Sequence, residues 1–313
     1  MNSSHRRGTV GAGAAMFFVG TLTAVSATIS GYPVFGGQAV RYAVAALVLL
    51  AVARFTGRPA RRPSARDWLL LAALAATGLV AFNVCIVAAT ADTSPATIGT
   101  VIATVPIVLA LAGPLLEGRR PAPAIIVSAC VVAAGAGLAS GFGGGSARGL
   151  LLSLGALAGE VCFSLLAVPL LPRLGPLRVS AYSAALAAPM LLAAGLVTDG
   201  TAALRVPTAA ELAGFAYLSA VVTTIAFLLW YDAIGRLGAD RAGLFAGLIP
   251  VSAVITTVVL GIDRPGPADL AGAALVAAGV VVGLRSRVAP REPAVPEPVT
   301  CEAAPIGIAR GSA

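Results

Sequence analysis

APAIIVSACVVAAGAGLASG, residues 122–141, runs for twenty positions without a charged side chain. A helix needs about 20 apolar residues to cross the hydrocarbon core of a bilayer. A barrel strand would be half as long and would alternate polar and apolar residues, which these do not. Only a helix satisfies the backbone polar groups of such a run in lipid. Outward from it, similar segments recur at about 9–30, 36–55, 68–90 and 95–116, and again at about 149–171, 178–198, 211–233, 242–261 and 268–285. The chain is predicted to be an all-α polytopic membrane protein with ten transmembrane helices.

The VAAG at 132–135 inside the opening stretch returns at 276–279. The same offset of 144 residues carries Pro106 in span 4 onto Pro250 in span 9, and Asp67 onto Glu211 at the starts of spans 3 and 8. Five spans per unit is an odd number, so the second unit must insert upside down relative to the first. The expected organisation is a cytoplasmic N-terminus at 1–8, a first repeat at 9–141, a Gly-rich outer loop at 142–148, a second repeat at 149–285 and a disordered cytoplasmic tail at 286–313. Two inverted five-helix repeats can exchange conformations about an in-plane axis, which is a transporter signature.

Composition narrows the chemistry. Of 313 residues, 58% are apolar and 11% charged, against about 25% charge in an ordinary soluble domain. All 21 basic residues are Arg. Without Lys there is no Walker A loop and no Schiff base. His5 is the single His, so neither a His-based metal centre nor a Ser-His triad can be assembled. Cys85, Cys130, Cys162 and Cys301 have no zinc or disulfide spacing and read as small apolar side chains. No metal and no cofactor is called for. Seventeen of the Arg residues fall in segments on the side of the N-terminus, whereas only Arg148, Arg205 and Arg264 fall on the other side, and Arg41 lies within a span. That bias predicts both termini cytoplasmic, in a plasma (inner) membrane. It also accounts for the net charge of +8 without a nucleic-acid partner, the bilayer itself being the expected one.

Four stretches resemble the drug/metabolite transporter superfamily, specifically the ten-span EamA-type permeases with two EamA repeats. They are GGQAVRYAVAALVLL (36–50), ATVPIVLALAGPLLEGRR (103–120), FLLWYDAIGRLGADRAGLFAGLIPVSAVITTVVLGIDR (227–264) and DLAGAALVAAGVVVGLR (269–285). The family carries a Glu about thirteen residues past the Pro of spans 4 and 9; here Asp263 stands in that place, and Glu117 comes two residues early. The resemblance implies transport of a small-molecule substrate by alternating access, driven by a proton gradient or exchange.

Glu160 is the one carboxylate expected at the bilayer midplane, eleven residues into span 6 and about 16 Å along it. An ionisable residue there is expensive to insert and is a functional candidate by default; the plainer alternative is a neutral acid clamping a neighbouring helix. Ser164 shares its face. Arg41, one turn after Gln38 in span 2, keeps its charge and needs an acid, carbonyls or an anionic substrate group. Thr100 and Thr104 continue a hydroxyl stripe from Thr97, and Ser252 and Thr256 repeat the pattern after Pro250. Pro106 and Pro250 each free a backbone carbonyl, as at helix interruptions that line transport sites. Asn83, Tyr182 and Thr223 add polar groups for a cavity. Trp230 and Tyr231 read as interfacial anchors, and Gly279 with Gly283 in span 10 offers a face to a second copy. These residues point to a secondary transporter, not an enzyme, that exports a small metabolite such as an amino acid or a drug-like compound. A membrane-embedded lipid-modifying enzyme is disfavoured by the missing His and Lys, and a channel or scaffold is the third reading.

Overall fold

A computed structural model describes residues 3–56, 62–141, 143–259, 261 and 266–285. Asp263 and the tail expected at 286–313 lie outside the described residues. The described residues form ten helical segments: α1 (Ser3–Thr28), α2 (Val34–Phe55), α3 (Ala65–Ala89), α4 (Pro95–Leu116), α5 (Pro123–Ser140), α6 (Ala147–Leu165), α7 (Leu171–Asp199), α8 (Ala209–Leu237), α9 (Ala239–Gly243, Leu244–Gly247 and Leu248–Val259) and α10 (Pro267–Arg285). Nine of them are long and apolar enough to cross a bilayer among the described residues. The tenth is α1, 26 residues long. Large apolar side chains point outward along the bundle, among them Leu47, Leu69, Val127, Leu151 and Leu270, as a surface facing lipid rather than water requires.

The backbone repeats as well as the sequence. Both α3 and α8 open with a capping box, Ser64 with Asp67 and Thr208 with Glu211, in which the N-cap hydroxyl accepts from the third residue and that residue's carboxylate accepts from the N-cap backbone. Both then pass through a π-helical stretch, Leu74–Ala81 in α3 and Leu218–Ile225 in α8, again 144 residues apart. Both α4 and α9 are broken. In α4, Pro95–Ile102 ends two residues before Val105–Leu116 begins, and in α9 the 3₁₀ turn Leu244–Gly247 separates the two pieces. Pro106 and Pro250 lie in the first turn of the second piece, where a missing N–H leaves no intrahelical bond unmade.

Packing interleaves the repeats. The helix α1 lies on α8 and α9, its counterpart α6 lies on α3 and α4, and α2 pairs with α7, α4 with α9 and α5 with α10. Exchanging the two repeats leaves this pattern of partners unchanged, as a pseudo-twofold requires. The crossing of α5 and α10 rests on small residues: a Cβ on Gly135 would come 2.8 Å from the Gly272 carbonyl oxygen, and one on Gly272 would come 2.6 Å from that of Gly135. Gly279 and Gly283 face inward on the same helix, against Ser128, Val132 and Leu244. The stripe read as a face for a second copy is therefore covered by α5 and α9 of the same chain.

Candidate functional site

On the Arg-rich face the bundle opens into a vestibule of about 1850 Å³ whose rim carries Glu117, Arg119, Asp232, Arg236 and Asp240 and whose floor reaches Tyr231. A smaller pocket of about 90 Å³ lies between the α1–α2 turn and α8. Between them runs a packed aromatic layer. Phe227 lies 6.3 Å from Tyr42 and 4.8 Å from Phe163, and Phe163 lies 5.1 Å from Tyr231, ring centre to ring centre.

Trp230 and Tyr231 belong to this layer, which corrects their reading as interfacial anchors. Both are fully buried. Trp230 Nε1 donates to Ser164 Oγ at 3.2 Å, and the Tyr231 hydroxyl donates to the Phe163 carbonyl at 3.3 Å. Because α8 runs on to Leu237, these residues lie more than a turn inside its end. The spacing of Phe227, Trp230 and Tyr231 at i, i+3 and i+4 puts all three on one face, a signal that was open to sequence reading. Tyr42, next to Arg41 in α2, carried no comparable signal.

Glu160 lies against this layer. Thirteen residues, about 20 Å of helix, separate it from the start of α6, and five separate it from Leu165. It is thus displaced from the centre of its helix toward the Arg-rich face, which corrects the expected midplane position: the helix starts two residues earlier than expected and ends at Leu165. The Asn83 side chain in α3 donates to the Leu79 carbonyl at 2.7 Å. Among the described residues Glu160 has no hydrogen-bond or ion-pair partner. The other described carboxylates do: Asp67 pairs with Arg173, Asp92 with Arg148, Glu117 and Asp240 with Arg119, Glu211 with Arg205 and Asp232 with Arg236. Asp199 accepts from Thr198, and Asp269 from the Gly266 amide.

Arg41 and its partners form a second polar group, on the side of the smaller pocket. Arg41 Nε donates to Thr223 Oγ1 at 2.6 Å, Nη1 donates to Gln38 Oε1 at 3.2 Å, and the guanidinium lies 5.3 Å from the centre of the Tyr42 ring. Thr223 in turn donates to the Leu218 carbonyl five residues earlier, a bond that the π-helical stretch of α8 makes available. Arg41, Gln38 and Thr223 are thus brought together from α2 and α8. Above them the pocket is clasped by Arg205, whose Nη2 donates to Gly31 O at 3.0 Å and whose guanidinium both pairs with Glu211 and lies 4.8 Å from the centre of the Tyr32 ring. The Glu211 carboxylate holds the Arg205 guanidinium above its ordinary pKa.

The remaining candidates sit elsewhere. Thr100 donates to the carbonyls of Ala96 and Gly141, Thr104 to that of Val101 and Thr256 to that of Ser252. Ser252 donates across to Phe17 O at 2.6 Å and ties α9 to α1. Tyr182 stacks on Trp68, 5.2 Å between ring centres. Pro106 is buried and Pro250 partly so. No cluster of three or more potential metal ligands exists among the described residues.

The family model for the EamA-like transporter family matches residues 7–141 and again 147–285. The chain belongs to the EamA-like transporter family. Two relatives resemble it over most of their length. One is the uncharacterized transporter YetK of Bacillus subtilis (strain 168), 26% identical over 255 residues that cover 79% of this chain and 77% of the relative. The other is a probable terminal-alkyne amino-acid exporter of Streptantibioticus cattleyicolor, 30% identical over 263 residues that cover 83% of this chain and 86% of the relative. A solved crystal structure shares this fold with a TM-score of 0.76 at 22% identity, covering 88% of this chain and 95% of that one.

Proposed function

We propose that this transporter exports a small amino-acid-like metabolite across the plasma membrane by alternating access, with Glu160 carrying the coupled proton. The carrying observation is the position of Glu160: the one described acid without a hydrogen-bond or ion-pair partner, beside the layer that divides a wide vestibule from a small pocket. A carboxyl group with no fixed partner can gain and lose a proton without breaking structure. The Arg bias supports a cytoplasmic vestibule, which is the orientation an exporter needs for loading. The name of the Streptantibioticus cattleyicolor relative, a probable terminal-alkyne amino-acid exporter, supports the substrate class.

Proteoliposomes with an imposed pH difference and radiolabelled L-amino acids test the proposal. The unmodified chain accumulates at least one of them with saturable kinetics. Glu160→Gln keeps shape and hydrogen-bonding capacity but cannot titrate, so it loses accumulation and retains exchange. Accumulation by Glu160→Gln at the unmodified rate overturns the coupling role, and flux that neither saturates nor exchanges favours a channel.

A further inference from the structure

Arg41 is a permanent cation 94% removed from solvent, since its relative exposure is 6%. A buried charge is retained only where something compensates it, yet no carboxylate pairs with Arg41 among the described residues. Two of its five N–H groups are used, on Thr223 and Gln38, both neutral acceptors. The rest have no acceptor in the described protein, and Arg41 lines the pocket of about 90 Å³ together with Gln38, Ser26 and Ser30. The pocket has several times the space one water requires, enough for a small anionic group and too little for a whole drug-sized molecule. Among the residues lining it, Arg41 is the one charged side chain.

We propose that Arg41 and Gln38 form a carboxylate subsite, so that the transported molecule carries a carboxylate that completes the guanidinium's missing bonds. This rests on the transport reading for its biological use but not for the binding itself. Thr223 holds Nε and thereby fixes the plane of the guanidinium, leaving the fork at its other end to meet both oxygens of a carboxylate, a geometry that Lys cannot reproduce. The π-helical stretch of α8 orients Thr223, so the subsite depends on contacts from both repeats.

The test uses the purified full-length chain in detergent and reads thermal stabilisation at constant ionic strength with two matched pairs of probes, L-norvaline against norvalinamide and butanoate against butanamide. The acids stabilise and the amides do not. In Arg41→Gln the acids bind at least about tenfold more weakly, the loss expected for a charge-assisted hydrogen bond, and Arg41→Lys falls between. Equal binding of acid and amide, equal acid binding by Arg41→Gln, or no binding of either acid overturns the subsite. The acid–amide comparison in the unmodified chain needs no variant and holds even where Arg41→Gln fails to fold. Acid-selective binding without accumulation in proteoliposomes defeats the transport reading and leaves the subsite standing; accumulation without acid selectivity does the reverse.

Discussion

Glu160→Leu separates a transport acid from a structural clamp without knowledge of the substrate. A clamp is hydrogen-bonded in the resting state, and removing one partner of such a bond destabilises by about 1–3 kcal/mol. Glu160 has no such partner in the described structure, so its removal takes away a burden rather than a bond. A charged carboxylate at the centre of a spanning helix disfavours insertion by about 2.5–3.5 kcal/mol, whereas Leu favours it by about 0.3–0.6 kcal/mol. Glu160 stands off-centre and stays partly accessible, so only part of that difference is realised, about 1–2 kcal/mol. At about 2–4 °C per kcal/mol for chains of 150–250 residues, the unfolding midpoint of Glu160→Leu rises by about 2–8 °C, the lower end applying to a chain of 313 residues. Transport is lost in the same variant, the usual trade between activity and stability at a functional group. Intrinsic fluorescence of Trp68 and Trp230 in detergent reads the midpoint. A midpoint 2 °C or more below that of the unmodified chain refutes the argument and makes Glu160 a clamp.

Glu211→Gln removes the charge that Arg205 clasps over the smaller pocket. With the ion pair broken, labelling of a cysteine at Ser26, a half-buried residue lining that pocket, by an impermeant maleimide speeds up, and an unchanged rate shows that the clasp does not close the pocket. Gly272→Ala forces a Cβ against the Gly135 carbonyl oxygen and lowers stability by about 1–3 kcal/mol, measured as a lower unfolding midpoint. Gly144→Ala, where a Cβ meets nothing within 4 Å, leaves the midpoint unchanged, and equal effects of the two defeat the packing account. A cysteine at Gly144 reacts with impermeant reagent on intact cells and one at Thr56 reacts only after permeabilisation; equal labelling contradicts the orientation read from the Arg distribution.

The fold was legible because lipid imposes one requirement on every span, that the backbone be satisfied within it, and an apolar run of sufficient length records that requirement directly. The repeat was legible through Asp67 and Glu211, Pro106 and Pro250, which occupy backbone positions where few residue types serve: the third residue of a capping box and the first turn after a helix break. The two π-helical stretches left no such mark, since an extra residue in a helical turn is stabilised by what packs on it, not by composition. The bond from Arg41 to Thr223 joins residues 182 positions apart and depends on that extra residue. Glu160 stood out by its cost in lipid, whereas Tyr42 and Tyr231 of the aromatic layer are inexpensive residues that sequence alone assigns to an interface as readily as to a core.

Symmetry in the backbone and asymmetry in the side chains divide the work of the fold. The residue 144 positions before Glu160 is Met16, the one 144 after Arg41 is Ala185, and the one 144 before Thr223 is Leu79. The capping boxes, the π-helical stretches and the broken helices thus come in pairs, while each polar residue of the candidate site occurs once. Two equivalent scaffolds allow the bundle two conformations of similar energy, since each contact between repeats has a counterpart on the other side of the pseudo-twofold. Under the proposed function, one carboxylate and one guanidinium bias that exchange by protonation and occupancy, since a ligand moves such an equilibrium only by its differential affinity for the two states. A second Glu at position 16 would supply a rival proton site from the other repeat and, under this division, Met16→Glu with Glu160→Gln does not restore accumulation, because Arg41, Thr223 and Tyr42 have no counterparts to complete the site around it. Restored accumulation in that double variant would mean that the scaffold alone determines coupling and that the unique side chains do not.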